Sequence, residues 1–107
     1  MSYTIYLTAD PDAPDDSDLG DSWNYTSNCG DMWRLAGADL AEYHDKRAGE
    51  CLPSLKSSIA DMKAVPEKYT ALNPSNGWGS YKTLVPALER LVEIFESAPL
   101  AVVYVSR

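Results

Sequence analysis

Residue patterns that are typical of β-strands lie near both ends of the chain. Residues 3–8 place Tyr3, Ile5 and Leu7 on one side and threonine or tyrosine on the other, which predicts a strand whose first set faces the core. Residues 100–105 are almost uniformly apolar and predict a second strand that other elements cover well. The simplest arrangement of these two strands is side by side.

Between the two strands, apolar residues recur at every third or fourth position, which is the period of an amphipathic helix. This pattern predicts two short helical pieces over 31–43, separated at Gly37, and a longer helix that opens at Leu52. The clearest helix extends over 83–97, because this start keeps Pro86 within the first turn.

Together these elements predict an α+β fold: a small sheet of two or three strands that includes both terminal strands, with about three helices packed on one face. A chain of 107 residues has the usual size of one domain, so we expect a single domain over 1–107. A sheet this small has exposed edges, and two copies of the chain could pair through one of them as a homodimer.

Negative charge is concentrated in one segment. The formal net charge is -7, and six aspartates without any basic residue lie between residues 10 and 21, whereas the remaining chain carries ten acidic and nine basic residues. With its two prolines, this segment predicts a mobile acidic loop at about 9–22. A solvated loop is the simplest interpretation, and a weak cation site or a contact with a basic partner is the alternative. The nearly neutral remainder argues against nucleic-acid binding by the body of the protein.

Few motifs that carry chemistry are present. The sequence lacks a phosphate-binding glycine loop, a metal-binding triad and a Gly-x-Ser-x-Gly turn, and two cysteines are too few for a zinc site. The single histidine, His44, has no serine or cysteine nucleophile motif to accompany it. We therefore expect no catalytic residues, no metal and no cofactor, and an enzyme is the less favoured class. The apolar runs are too short for a membrane span and the first residues do not resemble a signal peptide, so we expect a cytoplasmic protein without a membrane partner.

Two segments combine asparagines with tryptophans. If 23–28 is extended, Asn24, Thr26 and Asn28 project from one face and could line a polar pocket. The segment 73–79 places two asparagines, two glycines and a tryptophan between two helices. Because binding sites combine aromatic walls with a few fixed amides, the two segments predict one shared surface. The candidate binding residues are Trp23, Asn24, Thr26, Asn28, Trp33, Asn73, Asn76 and Trp78.

A structural role for the same residues is the alternative. The tryptophans would then belong to the core, the asparagines would form turns and caps, and Gly77 and Gly79 would supply positive backbone torsions. The two interpretations predict different positions for these side chains. A shared site requires Asn76 and Trp78 to lie close to the row formed by Asn24, Thr26 and Asn28.

These segments also carry a resemblance to a known group of proteins. Trp-Asn-Tyr-Thr-Ser-Asn at 23–28 followed by Met-Trp at 32–33, Asn-Pro-Ser-Asn-Gly-Trp-Gly at 73–79 and the ending 103–107 resemble small uncharacterised proteins of actinobacteriophages and related prophages. The similarity covers most of the chain outside the acidic loop. It implies a small cytoplasmic phage accessory protein made in a bacterial host, and it implies no catalytic residues.

Three functional hypotheses follow from the sequence and from this resemblance. The leading one is a non-enzymatic phage accessory protein that binds a host protein or a small-molecule ligand through its Asn/Trp-rich surface. The second is an acidic decoy whose aspartate-rich loop engages a basic host partner. The third is a small hydrolase that acts on a nucleotide-like substrate.

Overall fold

The computed structural model of the protein describes residues 2–9, 18–74 and 79–107, with side chains described outside 18–21. Three strands and four α-helices make up these ranges, together with short 3₁₀ turns at Ser27–Cys29 and Leu40–Tyr43. In chain order the main elements are β1 (Ser2–Thr8), β2 (Asp18–Thr26), α1 (Gly30–Leu35), α2 (Ala48–Ala64), α3 (Pro66–Thr70), α4 (Tyr81–Ser97) and β3 (Val102–Ser106). The predicted α+β fold, with both terminal strands in the sheet, is confirmed.

The sheet has the order β2-β1-β3, and both strand pairs are antiparallel. The terminal strands are therefore neighbours, as the sequence predicts. Tyr3, Ile5 and Leu7 are buried beneath the helices, whereas Thr4 and Tyr6 point to the opposite side and are half-buried. We call this opposite side the outer face of the sheet.

Strand β2 begins earlier in the chain than the segment at 23–28 that was considered as extended. It begins at Asp18, so the range predicted as an acidic loop, about 9–22, overlaps the strand at its end. The part of that range at 10–17 lies outside the described residues. Ile5 pairs with Trp23 and Leu7 with Leu19, so three residues of β2 stand opposite the single residue between them. Such a bulge breaks the alternation of apolar and polar residues by which a strand is recognised.

Helices α2 and α4 cover the inner face of the sheet with one continuous core. The interior includes Leu55 and Met62 from α2, Leu88 and Phe95 from α4, and Trp33 from α1, all fully buried. On the outer side of the two long helices, Lys56 pairs with Glu96 at 3.0 Å and Lys63 with Glu89 at 2.8 Å. These pairs are half-exposed, so they stabilise the helix alignment only slightly.

Both long helices begin earlier than the sequence predicts. The α2 helix starts at Ala48 rather than Leu52, and α4 starts at Tyr81 rather than at residue 83, so Pro53 and Pro86 lie inside their helices. The first-turn N–H groups of α2 are bound by distant carbonyl groups: Ala48 donates to Ala101 at 2.9 Å and Gly49 to Pro99 at 2.8 Å. Ser80 caps α4 and forms a capping box with Thr83.

The free edge of β3 is covered by residues 44–49 of the same chain. Asp45 N–H donates to Val103 O at 2.9 Å, and Val103 N–H donates to Lys46 O at 2.7 Å. Val105 N–H donates to Nδ1 of His44 at 3.0 Å. Homodimer formation stays a prediction, and the strand edge it concerns is the outer edge of β2.

Candidate functional site

Trp23 connects the sheet to helix α4. Its side chain is 4% exposed, and its indole N–H donates to the carbonyl oxygen of Ala87 at 2.7 Å. The ring also lies beside Tyr25, with centroids 6.0 Å apart. Trp23 thus fixes β2 against α4, and the hydrogen bond to Ala87 satisfies its buried indole N–H group.

Trp33 is fully buried in the core. Its ring meets Tyr3 edge to face, with centroids 5.2 Å apart. Its indole nitrogen is buried and has no hydrogen-bond partner among the described residues. Both tryptophans are therefore core residues, and their part in a binding site stays a prediction.

Asn24 and Thr26 lie at the accessible end of β2. The Asn24 amide donates to Thr4 Oγ1 at 2.9 Å and to Tyr3 O at 3.2 Å, across the β1–β2 pair on the outer face. Thr26 Oγ1 accepts the N–H of Asn28 at 3.3 Å and begins the 3₁₀ turn. The predicted row of three side chains therefore ends at Thr26, because the chain leaves the extended conformation before Asn28.

The second predicted segment is described only at its two ends. Asn73 is exposed, and its Oδ1 accepts the N–H of Tyr81 at 2.9 Å, so it binds the first residue of α4. Asn76 and Trp78 lie outside the described residues. Whether they join Asn24 in one site stays a prediction.

Gly79, at the end of that segment, packs directly on the end of β2. Its φ is +84°, and a Cβ atom built there would lie 2.6 Å from Thr26 Cγ2 and 2.9 Å from Cys29 Sγ. Only glycine fits a positive φ and so close an approach. The two asparagine-rich segments therefore touch at this point, although the structure does not describe the side chains that were expected to meet.

Tyr25 holds the same junction together. Its hydroxyl lies 2.6 Å from Thr83 Oγ1, and it accepts the N–H of Ser80 at 3.3 Å. Burial raises the pKa of Tyr25 above its ordinary value, against the opposite effect of these hydrogen bonds. Sequence reasoning did not select Tyr25 or Ser80, although the Ser-x-x-Thr spacing at 80–83 is the signal of a capped helix start.

A row of three aromatic rings crosses the outer face, and sequence reasoning missed it. Tyr6 and Tyr104 are paired across β1 and β3 and stack with centroids 4.9 Å apart. The His44 ring meets Tyr104 edge to face at 4.8 Å. The two tyrosines are half-buried and the histidine is exposed. We call His44, Tyr104 and Tyr6 the outer aromatic row.

A separate cleft of about 310 Å³ lies near the start of α2. Cys51 and Tyr43 lie in its lining, and the Tyr43 hydroxyl is 2.7 Å from Ser54 Oγ. Burial raises the pKa of Cys51 to about 11, so the thiol is protonated at neutral pH and is a poor nucleophile. Cys29 and Cys51 are both free and buried.

In the described ranges, no group of three histidine, cysteine or acidic side chains is arranged to hold a metal ion. Among the helices of those ranges, none is both long and apolar enough to cross a membrane. Comparison of the chain with family models, with curated proteins and with solved structures gives no match.

Proposed function

We propose that this chain is a non-enzymatic binding protein that engages a protein partner through the outer face of its sheet. The observation that carries the proposal is the outer aromatic row, which stands on the side of the sheet opposite the helices. In the setting that the sequence resemblance implies, the partner is a host protein and the chain is a phage accessory protein.

The composition of the outer face suits a protein interface. Tyrosine supplies a large contact area and a polar hydroxyl, and it is enriched where proteins meet. The tyrosine pair of the row is bordered by Thr4, Asn24 and Ser106, which are polar without charge. Such a face offers hydrogen bonds to a partner without the desolvation cost of buried ions.

The outer face is also held in one conformation before binding. The Asn24 amide is tied to Thr4 and to the backbone of Tyr3. His44 accepts a hydrogen bond from Val105 N–H and packs on Tyr104. Because these side chains are already ordered, a partner would bind them with little further loss of conformational entropy.

A protein partner is favoured over the two other predicted classes of ligand or substrate. Small-molecule sites are concave and enclose most of the ligand, whereas the outer aromatic row lies along one face of a three-stranded sheet. The thiol in the cleft near α2 is held protonated by its raised pKa, which disfavours a hydrolase that would use Cys51 as its nucleophile.

Two matched serine variants test the proposal. Ser106 is exposed on the outer face, and Ser57 is exposed on the helical side in α2. Ser106→Trp adds bulk to the proposed interface, and Ser57→Trp adds the same bulk away from it. Tagged wild-type protein and both variants would be used to capture partners from bacterial host lysate, with quantitative mass spectrometry of each eluate.

We expect the same protein to be enriched by the wild type and by Ser57→Trp, and to be lost with Ser106→Trp at an unchanged melting temperature. Equal recovery by all three proteins would contradict the proposal, as would a wild type that enriches no protein over a tag-only control.

A further inference from the structure

The single histidine of the chain binds the backbone near the end of β3. Val105 N–H donates to Nδ1 of the His44 ring at 3.0 Å. A ring nitrogen accepts a hydrogen bond only while it carries no proton, so this contact requires a neutral imidazole with its proton on Nε2. The geometry therefore defines both the charge and the tautomer of His44 in this conformation.

Two titratable groups contact the same ring. From its own segment, a carboxylate oxygen of Asp45 lies 3.5 Å from Nε2. From β3, Tyr104 meets the ring edge to face, with centroids 4.8 Å apart. The Asp45 carboxylate attracts a charged ring, whereas the Val105 N–H group accepts only a neutral one as its partner. The contacts at the two ring nitrogens thus favour opposite protonation states.

Only one of the hydrogen bonds along this sheet edge depends on a side chain that titrates near neutral pH. The His44 side chain is 39% exposed, so solvent protons reach it directly. The other two bonds join backbone groups: Asp45 N–H donates to Val103 O at 2.9 Å, and Val103 N–H donates to Lys46 O at 2.7 Å. Peptide groups take up no proton in this pH range, so a fall in pH acts on the bond to Val105 alone.

We propose that the contact between His44 and Val105 is a pH-sensitive latch. Histidine takes up a proton from water between about pH 8 and about pH 5. The new proton on Nδ1 points at the Val105 N–H group, and two donors cannot form a hydrogen bond with each other. The charged ring then leaves Val105 and turns towards the Asp45 carboxylate. This rotation also breaks the edge-to-face contact with Tyr104.

The latch regulates partner binding, and this consequence rests on the proposed function of the outer aromatic row. At neutral pH a partner meets the ordered row, whereas at acidic pH it meets Tyr104 and Tyr6 without the histidine. Binding should therefore weaken as the pH falls. The latch itself belongs to the free chain and is tested without a partner, so its failure is distinguishable from failure of the proposed function.

Nuclear magnetic resonance of the isotope-labelled protein tests the latch between about pH 8 and about pH 5. Because the chain has one histidine, its ring nitrogens give unambiguous signals. We expect the neutral ring to carry its proton on Nε2, and the Val105 amide shift to follow the ring titration with the same midpoint. Below that midpoint, the protection of the Val105 amide against hydrogen exchange, corrected for the intrinsic pH dependence of exchange, should fall about threefold to tenfold, as expected for the loss of one hydrogen bond.

Two controls accompany this measurement. The Val103 amide lies in the same strand and donates to Lys46 O, which does not titrate, so its protection should stay constant. The variant His44→Gln offers Val105 a side-chain carbonyl that accepts a hydrogen bond but takes up no proton in this range. The response of Val105 should therefore disappear in this variant, and its melting temperature shows whether the fold is retained.

Four results would overturn this proposal. The first is a neutral ring that carries its proton on Nδ1. The second is constant protection of Val105 while the ring titrates. The third is an equal loss of protection at Val103 and Val105, because the whole strand edge would then fray. The fourth is an unchanged response of Val105 in His44→Gln, since another group would then be responsible.

Discussion

The hydroxyl of Tyr25 lies 2.6 Å from the hydroxyl of Thr83, and this contact joins the end of β2 to the first turn of α4. The same phenol accepts the N–H of Ser80, the residue that caps the helix. One side chain therefore organises a strand end and a helix start that are far apart in sequence. The same hydroxyl would lie 3.1 Å from a Cβ atom built at Gly79.

Removal of this hydroxyl should destabilise the protein. Tyr25→Phe keeps the ring but leaves the Ser80 N–H and the Thr83 hydroxyl without this partner, and we expect a loss of about 1–2 kcal/mol in the free energy of unfolding. Urea denaturation measures the change. Tyr104→Phe removes a hydroxyl on the outer face and should change the free energy of unfolding by less than about 0.5 kcal/mol. Equal losses in the two variants would contradict the role assigned to Tyr25.

Alanine substitutions at two glycines with positive φ distinguish the cost of backbone strain from the cost of a steric clash. Gly79→Ala combines a φ of +84° with a Cβ only 2.6 Å from Thr26 Cγ2, whereas at Gly37, with φ +97°, the nearest atom to a built Cβ is 4.0 Å away. We expect Gly37→Ala to cost about 1 kcal/mol from strain alone and Gly79→Ala to cost clearly more. Thermal unfolding of both variants measures the difference.

A second substitution, at Thr26, should relieve the steric part of the stability loss that Gly79→Ala causes. Thr26→Ser removes the Cγ2 methyl group that the new Cβ would approach. Added to Gly79→Ala, it should recover part of the lost stability, although it is neutral or destabilising on its own. Strict additivity of the two changes would show that Gly79 and Thr26 are not in contact.

The two buried tryptophans should respond differently to the same substitution. Trp23→Phe removes the hydrogen bond to the Ala87 carbonyl, whereas Trp33→Phe removes an indole nitrogen that has no partner in the described part of the structure. Both changes remove the same side-chain atoms. We therefore expect Trp23→Phe to cost about 1 kcal/mol more than Trp33→Phe in urea denaturation. If Trp33→Phe cost as much unfolding free energy as Trp23→Phe, or more, the hydrogen bond assigned to the Trp23 indole would be contradicted.

Alkaline solution should destabilise the fold through Cys51. Burial raises its pKa from 9.0 to about 11, so above pH 9.0 the unfolded state releases a proton that the folded state retains. Stability is then fully present below pH 9.0 and falls as the pH rises towards about 11. Cys51→Ala should flatten this fall in urea midpoints measured across the window. An unchanged slope in the variant would assign the effect to other groups.

The sequence predicts the elements of this fold better than their boundaries. The strand at Tyr3, Ile5 and Leu7 and the apolar final strand follow from alternation and hydrophobicity, which are local properties. The start of α2 does not, because the N–H groups of Ala48 and Gly49 are bound by carbonyl groups on the turn before β3. A pattern that uses only neighbouring residues cannot contain that information.

In the candidate site, too, the sequence predicts what depends on local pattern and misses what depends on distant contacts. Asn24 lies on the outer face as its position in an extended segment predicts, because alternation assigns faces within one strand. The outer aromatic row was missed, since it depends on the register of β1 against β3 and on the path of 44–49 along the sheet edge. A tyrosine near the centre of each terminal strand, Tyr6 and Tyr104, was the available signal.

The carbonyl groups that bind the first turn of α2 have a consequence for the order of folding. Pro99 and Ala101 are synthesised about fifty residues after that helix begins. The central strand β1 likewise acquires its neighbour β3 only then. Contacts of such long sequence separation form late and slow the search for the native state. A ribosome-bound chain that stops before residue 98 would hold a helix with an unfinished start and a strand with one bare edge, and a bare strand edge favours aggregation.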